Sequence, residues 1–176
     1  MKNIVVLSAS NSKQSINKQL AVVAASFIEG IQTRVLDIND FEVPMFGVDY
    51  EGVYGVPENA KLFSEELKNS DGIILSLPEH NGNLPAVFKN LTDWVSRLGQ
   101  KTFADKPMLL MATSPGGRGG ATVLEIAKLT FPYQGANIVS EFSLPSFGEN
   151  FNAGKITNPV YETNLKKAVE QLESSI

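Results

Sequence analysis

The chain has no cysteine. This excludes disulfides, thiolate nucleophiles and thiolate metal sites. It has a single histidine, His80. A histidine-ligated metal cluster is therefore hard to assemble, and so is a Ser-His-Asp hydrolase, for which no Gly-x-Ser-x-Gly elbow is present. No apolar run approaches the roughly 20 residues that span a bilayer. The opening Met1-Lys2-Asn3-Ile4-Val5-Val6-Leu7 is too short for a leader and reads as a strand, so the expected location is the cytoplasm, with no membrane contact. Positive charge is scarce: Lys and Arg number 15 against 19 Asp and Glu, a net charge of −4. Nucleic acid, which needs a basic surface, is not an expected partner. With so thin a repertoire of reactive side chains, any chemistry is expected to come from an organic cofactor.

What the chain does have is an ordered alternation. Its 176 residues are 43% apolar and fit one domain, residues 1–176, with a sizeable core. Residues 4–7 form a short apolar run bounded by serines, as a buried strand does. Ile16, Leu20, Val23, Ala24 and Phe27 recur at helical spacing, with Gly30 as the expected stop. Strands are predicted at 33–38, 72–77, 107–113 and 137–144. Helices are predicted over 57–69, after Pro85, over 120–133 and around Leu165–Leu172 as the closing element. Residues 39–57 read as one long loop, too apolar to be an idle linker and placed to control access to a site. Five such units call for a parallel sheet covered on both faces. The expected architecture is a three-layer αβα sandwich whose five strands run in the flavodoxin-like order 2-1-3-4-5.

In such sheets ligands bind outside the carboxyl ends of the strands, beside the switch between strands 1 and 3. That rule selects three loops. The first carries Ser10, Ser12, Ser15, Ile16 and Asn17 at a helix start, without a glycine. It lacks the Gly-x-Gly-x-x-Gly of dinucleotide sites and the Gly-Lys-Ser/Thr of P-loops, and suits a cup for one terminal monophosphate. The second is Pro78-Glu79-His80-Asn81-Gly82, in which Asn81-Gly82 can turn backbone N–H groups toward a flat heteroaromatic ring. Glu79 is a candidate rim charge, and His80 a candidate to stack on or border the ring. The third, Ser114-Pro115-Gly116-Gly117-Arg118-Gly119-Gly120, lets backbone pass close to a ring at Gly116 and Gly117, with Ser114 at the ring edge. Arg118 is the candidate contact for an anionic group on ring, donor or substrate. Against each stands a plain alternative: helix capping by the serines, a solvent-facing His80, an ordinary turn, and Arg118 paired across a subunit contact.

Together the loops resemble the NADPH-dependent FMN reductase family, which includes quinone, azo-dye and chromate reductases. Ser10, Ser15 and Asn17 match that family's Gly-Ser-x-Arg-x-x-Ser-x-Asn, with Ala9 and Ser12 in place of its glycine and arginine. Pro78-Glu79-His80-Asn81, Pro85 and Lys89-Asn90-Leu91-Thr92-Asp93-Trp94 match its Pro-Glu-Tyr-Asn and Lys-Asn-x-x-Asp-Trp, with His80 where tyrosine is usual. The resemblance implies non-covalent FMN, NAD(P)H as electron donor, a small-molecule acceptor such as a flavin or quinone, and a homodimer or homotetramer. It puts the three loops around the cofactor, with Asn81 nearest the flavin N5 and no indispensable catalytic side chain. A flavodoxin-type electron carrier without reductase activity is the competing expectation, followed by a binding protein that has lost its flavin.

Overall fold

The computed structural model describes residues 2–176. Five strands, β1 (Asn3–Ser8), β2 (Gln32–Leu36), β3 (Gly72–Leu77), β4 (Pro107–Thr113) and β5 (Asn137–Leu144), form one parallel sheet in the order β2-β1-β3-β4-β5. The expected order 2-1-3-4-5 is the observed one. Alternate residues of each central strand enter different cores, as the pleat requires. Val5, Leu7, Ile73, Leu75, Met108 and Leu110 face one side, while Ile4, Val6, Ile74, Leu109 and Met111 face the other.

The helices divide between these faces. α1 (Ile16–Ser26) covers the second face with Leu20, Ala21 and Ala24. α2 (Val48–Tyr54) is a short helix with no buried residue. α3 (Glu58–Lys68), α4 (Ala86–Ser96) and α5 (Ala121–Thr130) cover the first face through Phe63, Trp94, Leu91 and Val123. After the four-residue α6 (Phe147–Asn150), a small antiparallel hairpin of β6 (Phe151–Asn152) and β7 (Lys155–Ile156) leads into α7 (Pro159–Glu173). α7 lies beside α1 with Leu165, Val169 and Leu172 buried.

The structure corrects the boundaries in several places. α1 ends at Ser26, short of Gly30, and β2 stops at Leu36 because Ile38 opens a 3-10 turn capped by the Asp37 side chain. The helix expected over 120–133 is α5 followed by a 3-10 turn, Phe131–Gln134, where Pro132 interrupts the α-helical bonding. Residues 39–57 are not one loop, since they contain α2. Two side chains of α4 fasten this segment. Trp94 Nε1 and Asn90 Nδ2 both donate to Pro44 O, at 2.7 and 3.0 Å, and Asn90 Oδ1 accepts from Phe46 N–H at 2.7 Å. Phe46 and Tyr50 meet the Trp94 ring edge-on, and Arg97 pairs with Glu51 at 2.9 Å. The Lys89-Asn90…Asp93-Trp94 pattern is thereby a clasp for the chain after β2, with Lys89 and Asp93 paired on the outside at 2.6 Å.

Lys18 of α1 pairs with Asp37 at 2.6 Å, each side chain 37% exposed. The Lys18 ammonium, helped by Asn39 N–H, holds the Asp37 carboxyl below its ordinary value. A lowered carboxyl stabilises the fold above the ordinary carboxylate range, and that stabilisation is lost as pH falls through its own depressed value. For a pair this exposed the contribution stays below about 1 kcal/mol. Asp37→Asn should therefore cost a few tenths of a kcal/mol in neutral urea titrations, with the difference vanishing in strong acid.

Candidate functional site

The carboxyl ends of β1, β3 and β4 bring three loops to one open cleft of about 260 Å³. Ser10, Ser12, Ser15, Ile16 and Asn17 line it from the first loop, Pro78, Glu79 and His80 from the second, and Ser114 from the third. Gln14, Thr113 and Pro115, which sequence reasoning did not single out, complete the lining. Asn81, Gly82, Gly116, Gly117 and Arg118 lie on the same loops but outside this lining.

The serines of the first loop order it from within. Ser10 Oγ accepts from Ser12 N–H at 3.2 Å, and Ser12 Oγ from Gln14 N–H at 3.3 Å. Ser15 caps α1 by accepting from Lys18 N–H at 3.1 Å and shares a hydrogen bond with Ser8 Oγ at 3.2 Å. Among the described residues, the backbone N–H groups of Ser10, Asn11, Ile16 and Asn17 are left without an acceptor. Free N–H groups converging at a helix start, where the dipole adds positive potential, suit a phosphate monoester. Capping and cup formation are therefore compatible, because the side chains do the first and leave the backbone for the second.

Asn17 has a different task from the other residues of its loop. It is 1% exposed. Its Nδ2 donates to Thr113 O at 3.1 Å, while its Oδ1 accepts from Thr113 N–H at 3.0 Å and Ser76 Oγ at 2.7 Å. One amide thus ties α1 to the ends of β3 and β4 and sets the spacing of all three loops.

In the second loop, Asn81 and Gly82 have φ of 51° and 72°. His80 and Asn83 exchange both backbone hydrogen bonds at 3.0 Å, which makes a two-residue hairpin of the kind Asn-Gly favours. The N–H groups of Asn81 and Gly82 have no acceptor among the described residues. His80 is exposed beside them. The Glu79 carboxylate accepts from Val123 N–H at 3.0 Å, in the first turn of α5, so this rim charge also braces the second loop against the helix that follows the third.

In the third loop, Ser114 Oγ donates to Gly116 O at 3.1 Å. The chain after β5 supports this loop from outside: Ser146 N–H donates to Gly116 O and Phe147 N–H to Ser114 O, both at 3.0 Å. A Cβ on Gly116 or Gly117 would meet nothing within 4 Å, so both glycines border open space. Arg118 is exposed, and its Nη2 donates to Thr122 Oγ1 at 3.0 Å. The support from residues 145–147 left no trace in the sequence, because it rests on backbone groups and on Ser146 at φ 46°.

The donor set fits FMN. A neutral, N–H-rich cup suits its phosphate, and a rigid turn with free N–H groups and an open glycine floor suits its flat ring. No helix among the described residues is long and apolar enough to cross a membrane, and none of their His, Asp and Glu side chains group into a metal-binding cluster.

Residues 2–149 match the family described as NADPH-dependent FMN reductase. The chain is 35% identical over 120 residues to a 2-hydroxy-1,4-benzoquinone reductase of Burkholderia sp., covering 67% of this chain and 63% of that protein. It is 34% identical over 80 residues to a quinone reductase of Escherichia coli K12, covering 46% and 43%. These matches thus span between 43% and 63% of the relatives' lengths. Among solved structures, FerB, a flavoenzyme NAD(P)H:(acceptor) oxidoreductase from Paracoccus denitrificans, aligns over 99% of both chains with 26% identity and a TM-score of 0.78.

Proposed function

From the chain's membership of the NADPH-dependent FMN reductase family, we propose that it is an FMN-dependent NAD(P)H oxidoreductase that reduces a small acceptor of the flavin or quinone kind. The observation that carries this reading is one cleft lined by the N–H-rich first loop and by Pro78, Glu79 and His80, which lead into the Asn81-Gly82 turn, with no metal-binding cluster among the described residues. Bound FMN would supply the two-electron chemistry, taking a hydride from the nicotinamide and passing the electrons on. The protein's part is binding, orientation and electrostatics. Ser10, Ser12, Ser15, Ile16 and Asn17 hold the phosphate end, with Asn17 acting through the spacing it imposes. Pro78, Glu79, His80, Asn81 and Gly82, with Ser114, Gly116 and Gly117, hold the ring. Asn81 stands nearest the reacting edge, and preorganised N–H donors there stabilise negative charge as it develops. Arg118, free of carboxylate partners on its own loop, is the contact for an anionic donor or acceptor.

Self-association as a dimer or tetramer is part of this reading. Met45, Val48, Val53 and Tyr54 are 68–74% exposed on and before α2, a concentration of apolar surface suited to a second copy. The cytoplasm, which holds reduced nicotinamide, is the compartment that goes with it.

A visible spectrum of purified protein with excess FMN, then NADPH added anaerobically, tests the proposal. Bound-flavin bands should appear, bleach with NADPH at a turnover rate and return when a quinone is added. Bands that survive both NADH and NADPH would make the protein an electron carrier. Failure to take up FMN would remove the cofactor reading altogether. Asn81→Asp, which sets a negative charge against the reacting edge, should slow the bleaching, and an unchanged rate would remove Asn81 from that position.

A further inference from the structure

Asn81-Gly82 is the one Asn-Gly pair in the chain, and the hairpin of the second loop carries it at its tip. Asn81 is exposed, as are His80 and Asn83 on either side. Among the described residues its side-chain amide makes no hydrogen bond, and the N–H of Gly82 has no acceptor. The side chain that a Cβ on Gly82 would approach is Thr122, at 3.8 Å, so the nitrogen is open to approach. Other asparagines are placed differently. After Asn11 the N–H of Ser12 donates to Ser10 Oγ at 3.2 Å, and after Asn39 that of Asp40 donates to Asp37 O at 3.0 Å. Each of those nitrogens also belongs to a residue whose own side chain crowds it. Gly82 has neither obstacle.

We propose that Asn81 is a site of spontaneous amide loss, and that the turn thereby records the time the protein spends without its cofactor. The Gly82 nitrogen attacks Asn81 Cγ. The new N–C bond closes a five-membered imide, the Cγ–Nδ2 bond breaks, and ammonia leaves with the Gly82 proton. One water then opens the imide, at Cγ to give aspartate or at the backbone carbonyl to give isoaspartate. No electrons change hands. Closing the ring requires the peptide between Asn81 and Gly82 to swing out of its left-handed turn, which breaks the paired His80–Asn83 bonds. The rate is therefore set by opening of a hairpin tip that rests on two backbone bonds. A flavin ring held by this loop grips the same turn, so occupied protein is protected and empty protein is not. That half of the inference rests on the flavin reading above. Either acid adds a carboxylate near Glu79, at the edge where negative charge is proposed to develop. Isoaspartate also lengthens the main chain by one carbon, so the His80–Asn83 pairing cannot re-form. Empty protein thus converts itself into a form that binds flavin poorly.

Incubation of the apo-protein in mildly alkaline buffer, read by peptide mass spectrometry and by labelling with an isoaspartyl methyltransferase, is the test. Acid should accumulate at position 81 about tenfold faster than at Asn11, which is also exposed, a barrier difference of about 1.4 kcal/mol. FMN at about a hundred times its Kd leaves about one molecule in a hundred empty and should slow the change at least tenfold. Aged apo-protein should lose FMN affinity in step with the acid formed. Asn81→Gln, whose longer side chain closes its ring far more slowly, should show no drift from its own starting affinity. A rate at position 81 no greater than at Asn11 would overturn the proposal. So would equal rates with and without FMN in protein whose fluorescence shows FMN bound, or an Asn81→Gln variant that ages as fast as the parent. If FMN never binds, the flavin reading and the protective half fall together, while the apo-protein rates still decide whether position 81 is the site.

Discussion

Asn17→Ala is expected to lower the unfolding free energy by about 3 kcal/mol and to strip the protein of flavin at the same time. The side chain is nearly inaccessible and serves Thr113 N–H, Thr113 O and Ser76 Oγ together. Alanine orphans all three of these groups at a position that is almost fully buried. Each buried group left unpaired costs on the order of 1–3 kcal/mol, and only the serine hydroxyl can rotate toward another partner. Asn17→Asp separates the structural from the ionic effect. Its carboxylate can still accept from Thr113 N–H and Ser76 Oγ, but it faces Thr113 O with no proton to give, and it carries a buried charge. The aspartate variant should therefore be as unstable as the alanine one at neutral pH and recover in acid, where the protonated carboxyl donates again. Urea titrations at two pH values, with FMN affinity measured alongside, check both statements. Flavin affinity lost from a variant of parental stability would show instead that the amide contacts the ligand itself.

The second large effect divides the glycines of the third loop into two kinds. Gly120 sits at φ +78°, and a Cβ there would lie 2.8 Å from Ala112 Cβ on β4. Gly120→Ala thus adds left-handed strain of about 1–2 kcal/mol to an overpacking cost of about 1–3 kcal/mol, because a strand methyl has no free rotamer to yield. A destabilisation of about 3 kcal/mol and a drop of several degrees or more in melting temperature should follow. At Gly117 the same change meets nothing within 4 Å and requires no positive φ. Gly117→Ala should leave stability unchanged or raise it by about 0.5 kcal/mol through the unfolded chain. Its effect should fall on the ligand, as a loss of flavin affinity of tenfold or more, since the added methyl occupies the floor on which the ring is proposed to lie. Thermal melts of the two variants, paired with FMN titrations, should show opposite patterns. If Gly117→Ala kept full flavin affinity, the ring would have to lie elsewhere.

The parts of this molecule legible in the sequence were those built from local pattern. β4 is an apolar run up to Thr113 and β3 is broken only by Ser76, so both read as buried strands, and their carboxyl ends pointed to the loops that line the cleft. The Asn81-Gly82 turn was equally plain, because few other dipeptides tolerate two positive φ values in succession. What stayed hidden depends on partners far along the chain. Asn17 reads as one more polar residue of a phosphate loop, and nothing near it announces a bond to a residue 96 positions away. α2 is only seven residues long and buries none of them, since it is held by the Glu51–Arg97 pair, the Tyr50–Trp94 contact and the Trp94 and Asn90 clasp on Pro44 rather than by a buried face. The β6–β7 hairpin is two residues a side, too short for any alternation to register.

The sheet order has a consequence in time. β1 leaves the ribosome before the other strands of its sheet, yet one of its neighbours, β3, begins at Gly72, and the Asn17 amide finds no partner on β4 until Thr113 has been made. At roughly 5–20 residues per second, Asn17 waits several seconds for Thr113. Throughout that interval Ile4, Val5, Val6 and Leu7 form an apolar strand with an unfilled edge. Parallel pairing across such separations is slow and exposes the chain to wrong partners meanwhile. Yield of folded protein should therefore depend on translation speed between the codons for residues 17 and 113, and the nascent chain should become able to hold flavin only after Thr113 has been made.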